Sequence, residues 1–185
     1  MSYPTKPAYV VESCNGWEPK YLEHPVYDWM QDYEEAFSLG DMKSGPYSPW
    51  HTDDYAYTKP TGETISGGKE AWAALLEMYA PLKSHYHEPR SFVIWETENG
   101  YIMTGQAYMY GNLPVPGDKK YKDLKGREWD VAGPGGFHFE YVKDPCGPKG
   151  LKVKCHKICA NVIPLAAEMV KRGMMTADQV FTQMV

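Results

Sequence analysis

The sequence has little of what staples, charges or anchors a chain. Four of its 185 residues are cysteine, too few for a disulfide scaffold at this length. Cys155 and Cys159 lie four apart; on a strand their Cα atoms stand about 13 Å apart, beyond a disulfide or a shared zinc. Basic residues are in deficit, 19 against 24 acidic, for a net charge of −5, which argues against the basic stripe of a nucleic-acid binder. No apolar run approaches about 18 residues, so no membrane-spanning helix is expected. The start, Met1 to Pro7, has no apolar stretch of signal-peptide type, and no Asn-x-Ser/Thr acceptor occurs. The expectation is a soluble, cytoplasmic protein. The frames H-E-x-x-H, paired C-x-x-C and G-x-S-x-G are missing, and Gly133-Pro134-Gly135-Gly136 lacks the spacing of a dinucleotide or phosphate loop. Chemistry without a bound cofactor is therefore expected.

Aromatic residues are plentiful: 15 Tyr, 6 Trp and 5 Phe. An apolar ring with a polar tip suits a pocket or an interface as well as a core. Residues 1–22 hold Pro4, Pro7, Gly16 and Pro19 without a period and read as an irregular arm, packed by Tyr9, Val10, Val11 and Trp17. A single α+β domain is expected over 23–173, and a short C-terminal helix over 174–185.

Pro25 suits a first helical turn. Val26, Trp29, Met30, Tyr33 and Phe37 then recur at helical spacing, with Asp28, Asp32, Glu34 and Glu35 assigned to the other face and Gly40 to the left-handed end. His51 to Thr58 reads as a strand. Ser66 is the expected cap of a second helix whose buried stripe is Ala71, Trp72, Leu75, Leu76 and Tyr79. Beyond Pro81 the pattern is β-like. Asn99-Gly100 marks a hairpin between Arg90–Thr97 and Tyr101–Tyr110. Gly111 to Gly136 reads as a long loop of the kind that forms lids. A second hairpin follows over Phe137–Lys143 and Leu151–Val162, then two short helices over Pro164–Arg172 and Thr176–Val185. Helices segregated from consecutive strands give α+β, with a curved antiparallel sheet capped by helices.

This order resembles the nuclear transport factor 2-like superfamily, in its SnoaL-like and scytalone dehydratase-like branch. Val26-Tyr27-Asp28-Trp29-Met30-Gln31-Asp32-Tyr33-Glu34 is similar to the Val-Tyr-acid-Trp-x-x-x-Tyr-acid frame of scytalone dehydratase. Val115-Pro116 with Tyr121-Lys122-Asp123, and Leu82-Lys83-Ser84-His85-Tyr86-His87, resemble two further frames. The resemblance implies a cone-shaped α+β fold, with a curved antiparallel sheet and helices enclosing a pocket. It implies a cofactor-independent lyase, cyclase or isomerase, dehydratase-like in its proton transfer, acting on a small aromatic or polyketide-like secondary metabolite. A homodimer or homotrimer is expected, with no nucleic-acid or membrane partner.

Carried over residue by residue, the family's proton-transfer histidine falls on His87, with His85 one step away. Its carbonyl-holding tyrosines fall on Tyr33 and Tyr57. Trp29, Tyr108, Phe137 and Phe139 become candidate walls, and His85 and Asp118 substrate contacts. The pattern departs at two places: the family's second histidine would stand at Gly117-Asp118, and its Ser-x-Asn pair near Gly135 and Phe137. That argues against scytalone itself as substrate.

The residues alone support the same chemistry. A neutral imidazole takes and returns a proton near pH 7, and tyrosine hydroxyls stabilise an enolate. Three alternatives stand beside it. His85-x-His87 on one strand face is a metal-ligand spacing, with His51, His138, Glu140 or His156 as a third donor. If the parity of the 137–141 strand is reversed, His138 and Glu140 become an acid/base pair. With its missing polar partners, the chain could also be a small-ligand-binding or protein-interaction module without turnover.

Overall fold

The structure is a computed structural model that describes residues 8–39 and 42–183. Helix α1 (Pro25–Leu39) begins at the proline and buries one face, including Val26, Tyr27, Trp29, Met30, Tyr33 and Phe37. Gly40, read as its left-handed end, lies outside the described residues. Before it, inside the segment read as an irregular arm, β1 (Tyr9–Val11) forms a short strand. After it come β2 (His51–Thr58), β3 (Thr64–Ser66) and α2 (Gly68–Tyr79). The residue before α2 is Gly67, with φ of 102° and no side-chain cap. The expected Ser66 cap is thus displaced by one, because the tight β3–α2 turn needs a backbone angle that only glycine adopts freely.

Three long strands follow, β4 (Ser84–Glu96), β5 (Gly100–Asn112) and, after the small β6 (Tyr121–Lys122) and β7 (Glu128–Trp129), β8 (Val131–Lys143). Then come β9 (Leu151–Ala160), α3 (Ile163–Lys171) and α4 (Ala177–Gln183). The main sheet has the order β1-β4-β5-β8-β9-β2-β3. Every pairing is antiparallel except β2 with β9, which is parallel. The sheet is mixed, where an antiparallel one is expected, because β2 and β9, distant in sequence, run in the same direction where they pair.

Register shifts at Pro89/Ser91 and Glu140/Tyr141 interrupt the long ladders, and such bulges bend a sheet. Opposite the first, Gly105 is required: a Cβ there would collide with the Ser91 carbonyl oxygen. The curved sheet wraps α1 and α2, and its concave side packs on them as a single apolar core.

The expected 111–136 loop is shorter than its composition suggests, since β8 starts at Val131. Pro134 is tolerated there because β5 pairs with residues 131–142, whereas β9 pairs only from Gly135 onward. Residues 131–134 therefore have a free edge, where a missing N–H costs nothing. The remaining 113–130 segment is pinned. The Asp123 carboxylate accepts from the backbone N–H groups of Lys125 and Arg127, both at 2.9 Å, and from the Trp129 indole at 2.9 Å. Glu88, 1% exposed, accepts from the Leu124 N–H at 3.1 Å. Arg172 of the α3 end ties Val115, Asp130 and Glu168 together. These bonds tie the segment to β4 and to the end of α3.

Candidate active site

A cavity of about 140 Å³ lies between α1, α2 and the concave sheet. A void of that order holds a single benzene-sized ring. Its wall is almost wholly apolar, built from Met30, Phe37, Met78, Leu82, Met103, Met109, Phe137, Phe139 and Ile158 among others. Five polar side chains reach it: Tyr33, Glu34, Tyr79, His87 and His156.

His87 is held on three sides. Its Nδ1 lies 2.9 and 3.0 Å from the two Glu34 carboxylate oxygens, and its backbone N–H donates to Glu34 Oε1 at 3.1 Å. A carboxylate only accepts, so Nδ1 donates to it, and it is the neutral form of the ring whose Nε2 presents a lone pair. Tyr79 meets Nε2 at 3.0 Å. Burial pushes the Tyr79 phenol well above its ordinary value, so its O–H stays protonated and can donate to that lone pair. Trp17, from the N-terminal segment, donates its indole N–H to the His87 carbonyl at 2.9 Å and so fixes this stretch of β4. Ser38 donates to the same Glu34 carboxylate.

Glu34 is the cavity residue that the sequence pattern places on the wrong face. The acidic pattern of α1 assigns it to the solvent side with its neighbours, yet it is 7% exposed. The signal was present in the spacing: Val26, Met30 and Glu34 follow i, i+4, i+8, the seam of a buried helical face. By spacing alone Tyr79 is a core residue of α2, and His156 is one option for a third metal donor.

Each residue named from the sequence has a definite place. His87, Tyr33, Phe137 and Phe139 line the cavity. The Tyr33 hydroxyl is turned to His51, 3.1 Å from Nε2. His51 Nδ1 lies 3.1 Å from the Tyr47 carbonyl, which only accepts, so Nε2 must accept from Tyr33. Burial lowers His51 to about 4, consistent with this neutral ring. Tyr57 is fully buried and its hydroxyl contacts the Met78 sulfur at 2.7 Å. Trp29 lies behind Tyr33, stacked at 5.0 Å, with its indole donating to the Leu151 carbonyl.

Tyr108 alternates with the cavity-lining Ala107 and Met109, so it faces outward under the Arg90 guanidinium. Asp118 is exposed, and its backbone carbonyl accepts from Arg172. Neither residue is among those lining the cavity, because strand alternation turns the first away and the Arg172 clamp holds the second at the surface. The parity of β8 puts Phe137, Phe139 and Tyr141 inward. His138 and Glu140 point out and bond each other at 3.2 Å, which removes them as an acid/base pair of the cavity.

His85 shares a strand face with His87, their rings 5.3 Å apart. It packs between Phe37 and Tyr79, is 3% exposed, and both ring nitrogens lack a partner. Burial lowers it to about 2, with His87 adding to the effect. The donor atoms of Glu34, His85 and His87 fall within 4.8 Å of one another. Zinc ligands sit about 2.0–2.2 Å from the ion, so these atoms would have to close in and the Glu34–His87 bond would have to open. As arranged, the carboxylate serves His87 and no common centre.

No family profile matches the chain, and no curated protein matches it by sequence. Solved structures do match. A protein of the NTF2-like family from Streptomyces avermitilis, proposed to be a dehydratase, aligns with a TM-score of 0.58 at 16% identity, over 76% of this chain and 97% of its own. ActVI-ORFA from Streptomyces coelicolor aligns at 0.53 and 13% identity, over 76% and 97%. The S. rosetta CaMKII hub aligns at 0.51 and 12% identity, over 74% and 95%. Likeness at these identities carries the architecture and nothing finer. With its helices packed into a curved, mostly antiparallel sheet, the chain has the nuclear transport factor 2-like fold.

Proposed function

We propose that the chain is a cofactor-independent proton-transfer enzyme, a lyase, cyclase or isomerase, acting on a small aromatic or polyketide-like carbonyl compound. The observation that carries this reading is the Glu34–His87 pair set into a largely apolar cavity of ring size. A base in such a place meets little competing water, and the carboxylate stabilises the imidazolium that forms when His87 takes a proton. In the resting site the Tyr79 hydroxyl occupies Nε2; a bound substrate displaces it and brings its α-carbon to that nitrogen. Phe137 and Phe139 hold the ring. The neighbour from S. avermitilis, proposed as a dehydratase, is in keeping with elimination as the outcome, but the first step is the same for elimination, cyclisation and double-bond shift.

Proton abstraction can be read without knowing the product. In deuterated buffer, a panel of aromatic ketones should exchange their α-protons in the presence of the protein, followed by NMR. His87→Gln should lose the exchange while still binding the ring. Full exchange by His87→Gln would remove the base assignment.

A second reading has one observation in its favour: Nε2 is already covered by Tyr79. On that reading the cavity holds a small ligand without turnover, and ring compounds bind while no ketone of the panel exchanges. The expected homodimer or homotrimer belongs to either reading and is measured by sedimentation velocity. No helix among the described residues is long and apolar enough to cross a membrane.

A further inference from the structure

The cavity holds a second imidazole, on the far strand. His156 of β9 is 5% exposed and lines the cavity. Its ring stacks on Phe139 with centroids 4.0 Å apart and stands 5.6 Å from the Tyr57 ring. Nδ1 is turned away toward the Tyr55 hydroxyl at 3.4 Å. Nε2 is buried and has no partner.

The tautomer follows from the neighbour. Burial pushes the Tyr55 phenol well above its ordinary value, so its proton stays and needs an acceptor, and Nδ1 is the acceptor beside it. A neutral imidazole carries one N–H, which places the proton on Nε2. The ring is neutral because burial, with smaller effects from His51 and His87, holds it well below its ordinary value. A buried N–H without an acceptor is uncommon and asks for an explanation. The two tyrosines that the sequence suggested as carbonyl holders offer none of their own protons: Tyr33 donates to His51, and Tyr57 is spent on Met78.

We propose that His156 forms the carbonyl-binding subsite of the cavity, its Nε2–H donating to the oxygen of a ring-sized apolar ketone. This rests on the proton-transfer reading above. The step balances within the site. His87 Nε2 takes the α-proton, and the C–H electron pair moves into the new C=C bond. The carbonyl π pair moves onto oxygen, where the His156 N–H holds it. The proton then returns from His87 to carbon, or to a leaving group. A neutral N–H donor held by packing in a largely apolar site is a strong stabiliser of developing oxyanion charge.

The test uses the full chain and acetophenone labelled with ¹³C at the carbonyl, read by isotope-edited infrared difference spectra together with α-proton exchange. In the wild type the carbonyl band should lie below its position in an apolar solvent. His156→Phe keeps an aromatic ring against Phe139; acetophenone should still bind, its band should return to the apolar position, and exchange should fall about 10²–10³-fold. His156→Gln, which retains an N–H donor, should restore the lowered band. His87→Gln should leave it lowered.

Bound acetophenone with the same band in wild type and His156→Phe would overturn the proposal. A lowered band that depends on His156, without exchange in the wild type, would sink the enzyme reading and leave the subsite standing. No binding at all would sink both.

Discussion

The Glu34 carboxylate bonds His87 twice, at the ring Nδ1 and at the backbone N–H. One side chain of α1 thus sets both the tautomer of the imidazole and the position of its strand. Glu34→Gln keeps the shape and loses the charge. The imidazolium is then unsupported, and an amide nitrogen facing Nδ1 favours the other tautomer. Ketone exchange should fall about 10²–10⁴-fold with ring binding little changed. Exchange at the wild-type rate would mean that His87 works without its carboxylate, or does not work at all.

Three buried histidines make the fold sensitive to acid. Burial lowers His51 to about 4 and His85 to about 2, and holds His156 well below its ordinary value. Unfolded histidines take up protons below about 6.5, while these folded ones do not. The unfolded state therefore binds more protons over that window, and stability falls as pH drops from about 6.5 toward 4. At pH 5.5 His51 and His85 together should cost about 2.5 kcal/mol relative to pH 7.5, with His156 adding in the same direction. Urea titrations at pH 7.5 and 5.5 give the difference directly, and His85→Phe should remove about a third of it. A midpoint independent of pH would show these rings to be charged in the folded protein.

The architecture was legible because periodicity reports burial. The α1 stripe, the Asn99-Gly100 hairpin and the inward aromatics of β8 each follow from a repeat that the fold obeys. The lining of the candidate site was half legible. His87 could be found by resemblance, but Glu34 was hidden among four acidic residues on one helix, where charge outweighed spacing as a clue. The directions of the Tyr33 and Tyr57 hydroxyls were not legible at all. They depend on His51 and Met78, which tertiary packing brings together from other elements. His156 reaches the cavity only because β9 pairs with β8 on one side and with β2, in parallel, on the other.

Arg172 should be worth more to stability than most surface charges. Its side chain is 4% exposed and bonds Glu168, Asp130 and the Val115 carbonyl at 2.8–3.0 Å. Arg172→Met removes the shared partner and leaves Asp130 and Glu168 facing each other's field. The expected loss is about 2–3 kcal/mol, or a Tm lower by about 5–10 °C for a chain of this size. Hydrogen exchange should rise first in 113–120 and in α3. A variant with unchanged Tm and unchanged protection there would show that the clamp is dispensable.

Tyr33→Phe separates position from chemistry. The Tyr33 ring lines the cavity, but its hydroxyl donates to His51 Nε2, and His51 passes the polarity on to the Tyr47 carbonyl. Removing the hydroxyl leaves a buried acceptor on His51 without a donor, at a cost of about 1–2 kcal/mol in stability. The phenyl ring still stacks on Trp29 and Phe37, so the cavity keeps its wall and His87 keeps its partners. Ketone exchange should therefore stay within a few-fold of wild type while the denaturation midpoint drops. If Tyr33 instead holds the enolate oxygen, the same substitution should cost about 10²–10³-fold in exchange and little in stability. Measuring both quantities on one variant decides which bond the hydroxyl makes when a substrate is present.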